Sequence, residues 1–206
     1  MIAIVWRLAI VVVAVVGLML GDAGLVYFTV QANAVVAVYF GTLVVAQLRG
    51  RRLAPRLRGG VTTWILATGI VYHVVIQAGA NPIPGLFTGC PRELLSNWSP
   101  FLLHYVTPAM VLLDWIAFGP RRATRWSDSL LWAIYPLAYG AFMIVRGIAL
   151  PSVDVRYPYP FLDPSGQGWS GVVSTVAWIV VAVVALGLVV VALDRLPEPR
   201  GRAGGR

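Results

Sequence analysis

Long apolar runs alternate with short polar or proline-rich segments along most of the chain. Six of these runs approach the roughly 20 residues that a helix needs to cross a bilayer; they cover residues 2–20, 25–48, 61–79, 100–119, 129–148 and 170–193. Apolar runs of this length are typical of membrane-spanning helices. The pattern therefore predicts an all-α fold: one integral membrane bundle of six transmembrane helices over residues 1–194.

The composition supports a membrane protein. Hydrophobic residues make up 59% of the 206 residues and charged residues only 12%, whereas a soluble domain carries roughly 25% charge. The net charge is +8, but the basic residues do not form a surface on any predicted soluble domain. We therefore expect membrane lipids rather than nucleic acid as partners. The single cysteine, Cys90, excludes an intramolecular disulfide and a cysteine-based zinc cluster, and no metal or other cofactor is predicted.

The arginines predict the orientation of the bundle. They concentrate between runs two and three, between runs four and five, and after run six: Arg49, Arg51, Arg52, Arg56, Arg58, Arg121, Arg122, Arg125, Arg195, Arg200, Arg202 and Arg206. Loops rich in arginine remain in the cytoplasm, so both termini are expected there, with residues 195–206 as a disordered basic tail.

An alternative interpretation makes the first run a signal peptide, with Arg7 before its core and Ala32-Asn33-Ala34 as a cleavage site. That triplet lies inside the second run, and cleavage would upset the arginine pattern. The sequence therefore favours six helices.

The two longer loops on the other side are rich in proline and aromatic residues. They cover residues 80–100 and 151–168. Proline interrupts helices, and tryptophan and tyrosine prefer the headgroup region of a bilayer. Two interpretations stay open: interfacial loops that plug the bundle, or a lid over a site.

A few polar residues fall inside the apolar runs, where an unpaired polar group is costly. They form short helical stripes, namely Thr29 with Asn33, His73 with Gln77, His104 with Thr107 and Asp114, and Tyr139 with Arg146. In this topology Thr29, His104 and Arg146 lie near the outer boundary. Asp114 follows His104 by ten residues, or roughly 15 Å along a helix. Asp114 therefore cannot contact His104, and we expect it to pair with Arg121, Arg122 or another helix.

A hydroxyl, an imidazole and a guanidinium at one depth suggest acyl transfer. A threonine hydroxyl becomes a nucleophile when a neutral histidine accepts its proton, and Arg146 is suited to a lipid carboxylate or phosphate. Two other interpretations stay open. Thr29 caps or back-bonds its own helix while the histidines hydrogen-bond between helices, or His73 and His104 ligate a haem iron, which no haem motif supports.

Three blocks in order carry a family resemblance. They are Tyr27-Phe28-Thr29, the stretch from Asn97-Trp98 through His104 and Thr107-Pro108 to Asp114, and YPYPFLD from Tyr157 to Asp163. Together they resemble the androgen-induced gene family of membrane proteins, which includes the androgen-dependent regulator of tissue factor pathway inhibitor, and its bacterial six-span relatives. The resemblance implies a hydrolase that cleaves fatty acid esters of hydroxy fatty acids. Its threonine nucleophile and histidine would be Thr29 and His104.

The sequence thus predicts a membrane lipid-ester hydrolase with an acyl-chain substrate, in a bacterial-type cell membrane, with its site toward the extracytoplasmic side. Thr29 and His104 are the predicted catalytic pair; the supporting or substrate-binding residues are Asn33, His73, Thr107, Asp114, Tyr139 and Arg146. The candidate oxyanion donors are Asn33, Tyr139 or backbone N–H groups, and Arg146 is a candidate carboxylate ligand. The alternatives are a non-enzymatic lipid-binding or regulatory membrane protein, and a small transporter, which the lack of repeated halves disfavours.

Overall fold

A computed structural model describes residues 1–51, 53–87, 89–119 and 121–197, and these residues contain helices and loops but no strand. Six spans within them are long and apolar enough to cross a membrane: Ile2–Leu20, Phe28–Leu48, Pro55–Ile76, Glu93–Phe118, Asp128–Ala149 and Pro164–Leu193. The prediction of an all-α bundle with six membrane spans is therefore confirmed. The chain is a multi-pass membrane protein.

Two of the spans contain a turn of π-helix, and one of these turns divides the fourth span, so the bundle contains seven α-helices among the described residues. These are α1 (Ile2–Leu20), α2 (Phe28–Leu48), α3 (Pro55–Val71), α4 (Pro91–Phe101), α5 (Thr107–Phe118), α6 (Asp128–Ala149) and α7 (Pro164–Leu193). One π-turn, Tyr72–Ile76, extends α3, and the other, Leu102–Val106, joins α4 to α5. The fourth span is thus α4, a π-turn and α5 in succession.

The third and fourth spans begin earlier than the apolar pattern predicts, because proline can start a helix where its missing N–H is not needed. The third begins at Pro55 rather than at residue 61, and the fourth begins in α4, which starts at Pro91 rather than at residue 100. Before the last span a helical turn starts at Pro164, where Asp163 accepts a hydrogen bond from the Ser165 amide, and Gly168, with a φ of 70°, separates this turn from the rest of α7. The early start of α3 places Arg58 inside a helix rather than in a loop.

The bundle is tied together by apolar packing inside and presents apolar side chains outside. The main core cluster joins α1, α2, α3 and α5 through Ile10, Ala14, Val36, Phe40, Ile65 and Val111, among others. Large hydrophobic residues such as Val38 and Trp178 are about 70% exposed on the outer surface. A surface of this kind suits lipid rather than water.

The two ends of the bundle differ in chemistry. At the basic end, which holds the described residues of the loops 49–54 and 119–127, Asp194 accepts hydrogen bonds from the Ala123 and Thr124 amides and from the Thr124 hydroxyl. Beyond α7, the Arg195 guanidinium lies 4.4 Å from the centre of the Trp126 ring; the rest of the predicted tail from residue 198 lies outside the described residues.

The aromatic end holds the loops 77–90 and 150–163. Aromatic rings pair within and between these loops and the adjoining helices, as in the stacked pair Tyr159–Phe161, the edge-to-face pair Tyr27–Tyr159 and the edge-to-face pair Phe87–Trp98. The proline-rich segment after α6 therefore packs against the mouth of the bundle.

Candidate active site

Thr29 and His104 meet at the aromatic end of the bundle. Thr29 lies in the first turn of α2, and His104 lies in the π-turn of the fourth span. The Thr29 Oγ1 atom is 3.1 Å from His104 Nε2. The hydroxyl is thus within hydrogen-bond distance of the imidazole, which is the arrangement that proton transfer requires.

The second ring nitrogen of His104 determines the direction of that hydrogen bond. Its Nδ1 atom is 2.8 Å from the carbonyl oxygen of Pro100, one turn earlier in the same span. Because a carbonyl only accepts, Nδ1 carries the proton of the neutral ring and Nε2 is the acceptor. The Thr29 hydroxyl therefore donates to Nε2, and the Pro100 carbonyl is the group that orients the base.

Asn33 connects the two halves of this pair. Its Nδ2 atom donates to the carbonyls of Thr29, at 2.9 Å, and of Leu103, at 3.2 Å. In the π-helical pattern the Leu103 carbonyl would accept from residue 108, but Pro108 has no N–H. Asn33 supplies the missing donor, so one buried amide holds α2 against the π-turn beside His104.

The His104 ring is also held by the third span. Tyr72, in the π-turn that follows α3, stacks on it with ring centroids 3.7 Å apart and an interplanar angle of 18°. Gly69 permits this approach, because a Cβ at that position would lie only 2.6 Å from the His104 carbonyl oxygen. Two π-turns on facing spans therefore meet at the histidine.

Tyr159 brings a phenol to the same place from the loop between α6 and α7. Burial raises the pKa of Tyr159, while its interactions with the Thr29 side chain and backbone act in the opposite direction. A phenol with a raised pKa keeps its proton at neutral pH and can donate a hydrogen bond. The first N–H groups of α2, which have no helical acceptor, also lie here and carry the positive end of the helix dipole.

Two cavities meet at the pair. A narrow apolar cavity of about 90 Å³ descends between α3, α6 and α7. A wider groove of about 740 Å³ opens beside the end of α1, α4 and the loop before α7. Five residues line both cavities: Thr29, Tyr72, Ile76, His104 and Tyr159. A molecule that occupied both spaces would therefore pass directly over the threonine and the histidine.

The two candidate oxyanion donors have other partners. Tyr139 lines the narrow cavity, but its hydroxyl donates to the Val26 carbonyl at 2.6 Å and accepts from the Phe28 amide at 3.1 Å. Both Asn33 protons likewise go to carbonyls. These two residues position the start of α2, and neither has a donor directed at the Thr29 hydroxyl.

The remaining predicted residues lie around the pair rather than in it. The Arg146 guanidinium donates to the Val155 and Arg156 carbonyls, so it supports the loop before Tyr159. His73 Nδ1 is 3.1 Å from the Tyr105 hydroxyl, on the neighbouring face of the two π-turns. Thr107 is fully buried just below His104, and its hydroxyl has no hydrogen-bond partner among the described residues.

Asp114 belongs to a separate cluster at the basic end. Its Oδ1 is 3.0 Å from Arg7 Nε, and its Oδ2 accepts from Arg58 Nη2. Both guanidiniums also donate to the carbonyl of Phe118, at 3.3 Å and 3.0 Å. The separation of Asp114 from His104 agrees with the sequence argument, and of the predicted partners it is other helices, α1 and α3, that supply them rather than Arg121 or Arg122.

Several site residues were missed at the level of sequence. The sequence does contain a signal for Arg7 beyond a signal peptide, because a lone arginine in an apolar run indicates a buried partner. Tyr159 lies inside the conspicuous segment YPYPFLD, and Pro100 lies one turn before His104, where its carbonyl reaches the ring. Tyr72 offered no signal, because tyrosine at the end of a span is ordinary.

The site shows no metal-binding arrangement. Among the residues that the structure describes, no group of three or more histidine, cysteine, aspartate or glutamate side chains could hold a metal ion. Both nitrogens of His104 have hydrogen-bond partners, so the ring does not fit the role of a haem ligand. Comparisons with protein-family models, curated proteins and solved structures find no match to this chain.

Proposed function

We propose that this chain is a membrane lipid-ester hydrolase that cleaves fatty acid esters of hydroxy fatty acids, with Thr29 as the nucleophile and His104 as the base. One observation carries the proposal. The Thr29 hydroxyl is 3.1 Å from the unprotonated nitrogen of a histidine whose other nitrogen is held by a carbonyl. An apolar cavity adjoins the pair. Because electrostatic interactions are stronger where water is excluded, this cavity favours the proton transfer between the hydroxyl and the imidazole.

The reaction proceeds in two halves. Thr29 Oγ1 attacks the ester carbonyl carbon while its proton passes to His104 Nε2, and the resulting tetrahedral species expels the hydroxy fatty acid, whose oxygen takes that proton. A water molecule then gives a proton to His104 and attacks the acyl-threonine. The second tetrahedral species releases the fatty acid and returns the proton to Thr29.

The negative charge on the ester oxygen needs donors that face the nucleophile. We assign this role to Tyr159, which lines both cavities beside Thr29, and to N–H groups in the first turn of α2. The positive end of the α2 dipole favours the same charge. Tyr159 and α2 therefore replace Asn33 and Tyr139 as the proposed oxyanion site.

The location of the pair matches a lipid substrate. Arginine-rich loops at the opposite end favour a cytoplasmic basic end, which puts Thr29 and His104 toward the extracytoplasmic side of a bacterial-type cell membrane. An ester bond just below the headgroups would lie at this depth. The groove at the aromatic end offers the route by which it reaches Thr29.

The experiment combines covalent labelling with turnover. The purified protein should react with a fluorophosphonate probe and hydrolyse a fatty acid ester of a hydroxy fatty acid, and Thr29→Ala and His104→Ala should each lower kcat/KM by about 10³-fold or more. Thr42→Ala is the matched control, because Thr42 lies on the same helix and its hydroxyl donates only to the Val38 carbonyl. Turnover that survives in both active-site variants would rule out the proposed chemistry.

One observation favours a second candidate, a lipid-binding protein without catalysis. The group that orients His104 is a neutral carbonyl rather than a carboxylate, so a protonated ring receives less stabilisation than in a catalytic triad. This candidate predicts that the wild-type protein binds a fatty acid but neither reacts with the probe nor turns over an ester.

A further inference from the structure

We infer that the narrow cavity holds the acyl chain of the ester, that the groove holds the alcohol half, and that the lack of a side chain at Gly140 on α6 leaves room for a longer chain. The inference rests on the proposed function for the position of the ester bond. It adds a substrate-binding site and a residue that determines chain-length specificity.

The shape and lining of the narrow cavity fit an unbranched hydrocarbon chain. On α7 the lining runs from Val176 to Val183, seven residues or about 10 Å of helix. The surface that lines it is almost entirely apolar, and the hydroxyl of Thr68 already donates to the Ile65 carbonyl. A polar alcohol half would lose its hydration in this space without gaining partners, whereas an acyl chain gains about 0.8 kcal/mol for each buried methylene.

The groove has the opposite character. It is the larger space, it is open, and polar side chains such as Asp22, Ser96 and Ser99 line it. A bulkier half with polar groups can stay hydrated there. Because Thr29 and His104 line both spaces, an ester that extends from one to the other presents its carbonyl to the nucleophile.

Gly140 is the position at which the chain-binding space can be shortened without disturbing the helices. It is buried and lines the narrow cavity, yet a Cβ added there would meet no atom within 4 Å. A larger side chain would therefore project into the cavity. Gly41 on α2 is the matched control, since a Cβ there also meets nothing within 4 Å and Gly41 lines neither cavity.

The activity test compares p-nitrophenyl butyrate, octanoate and palmitate as substrates in nanodiscs. In the variant Gly140→Leu, kcat/KM for octanoate relative to butyrate should fall by about tenfold or more. Gly41→Leu should keep the wild-type ratio. An unchanged ratio in Gly140→Leu would overturn the inference, and Gly140→Ala, which adds one methyl group, provides a milder version if the leucine variant does not fold.

A binding test separates this inference from the proposed function. In the Thr29→Ala background, which removes the nucleophile, octanoic acid should raise the Tm because it binds the folded state. The same concentration should give no increase in Thr29→Ala/Gly140→Leu. If no ester is hydrolysed but this difference in Tm is found, the proposed function fails and the chain-binding site stands; equal shifts, or no shift in either protein, overturn the site itself.

Discussion

The fourth span carries two polar clusters, one near each end, and they differ in charge and access. At the basic end, Asp114 joins the guanidiniums of Arg7 and Arg58, and all three residues are at least 95% buried. At the aromatic end, Thr29 and His104 form an uncharged pair that lines two cavities. None of the three charged residues lines either cavity.

This difference separates a structural role from a chemical one. Charges that are buried without access to solvent must be compensated by the protein, and Arg7, Asp114 and Arg58 compensate one another across α1, α5 and α3. Breaking that cluster should cost stability. The neutral pair makes a single bond between two side chains at the wall of a cavity, so it can exchange its partner for a substrate at little cost.

The largest expected effect follows from removing the shared carboxylate. Asp114→Ala leaves two buried guanidiniums without a counter-charge and should lower the free energy of unfolding by about 3–5 kcal/mol. Thermal or denaturant unfolding in detergent measures it, with Asp154→Ala as the control because Asp154 is exposed. A loss no larger than that of the control would contradict the structural role.

A triple variant sharpens this result. Replacing all three charged groups, as Arg7→Met, Asp114→Leu and Arg58→Met, should restore most of the stability lost in Asp114→Ala, because apolar residues of similar volume replace buried ion clusters well. The proposed hydrolysis should survive in the triple variant, since the cluster is remote from Thr29. Loss of hydrolysis in a stable triple variant would show that the two clusters are coupled.

The next effect concerns the aromatic end and depends on the proposed function. Tyr159→Phe removes the proposed oxyanion donor but keeps the ring, so kcat/KM should fall by about 10²-fold. The Tm should stay near the wild-type value, because the ring keeps its stacking on Phe161 and the hydroxyl lies at the wall of both cavities. Tyr157→Phe, in the same loop, is the control. A fall in Tm that accompanies the loss of activity would assign Tyr159 to packing instead.

Asn33 tests whether the neutral pair depends on a buried scaffold. Asn33→Ala leaves the Thr29 and Leu103 carbonyls without this donor and should cost about 1–3 kcal/mol of unfolding free energy. Thr42→Ala on the same helix removes a bond to the exposed Val38 carbonyl and should cost less. Equal losses in the two variants would show that the bridge between α2 and the π-turn adds nothing.

The sequence predicts much of this fold because the membrane imposes a simple rule on it. A helix that crosses hydrocarbon must be apolar over its length, so the six spans are visible as runs. The spacing of His104 and Asp114 along one helix also suffices to separate them. The pattern does not predict the helix starts at Pro55 and Pro91, because they depend on proline rather than on hydrophobicity.

The contacts of the site depend on features that periodicity cannot show. The π-turns at Tyr72–Ile76 and Leu102–Val106 change which residues face each other, and a 3.6-residue pattern does not anticipate them. The pattern likewise does not predict that Asp114 contacts Arg58, because the apolar run places Arg58 in a loop rather than in the third span. The position of a residue along a span predicts its depth in the membrane. Which side chain it contacts at that depth depends on how the helices pack.

The smallest expected effect is a pH dependence at the aromatic end. Asp163 accepts hydrogen bonds from the amide and hydroxyl of Ser165, and these bonds lower its pKa. A carboxylate whose pKa is lowered in the folded state stabilises the start of α7 above its unfolded pKa of about 3.9, and this contribution is lost as the pH falls through the lower folded value. Hydrogen exchange at residues 165–167 should therefore show weaker protection at about pH 3 than at about pH 6, after correction for the intrinsic exchange rate. Asp163→Asn, which caps a helix but does not titrate, should show no such change; a similar change in both proteins would mean that another group controls the start of α7.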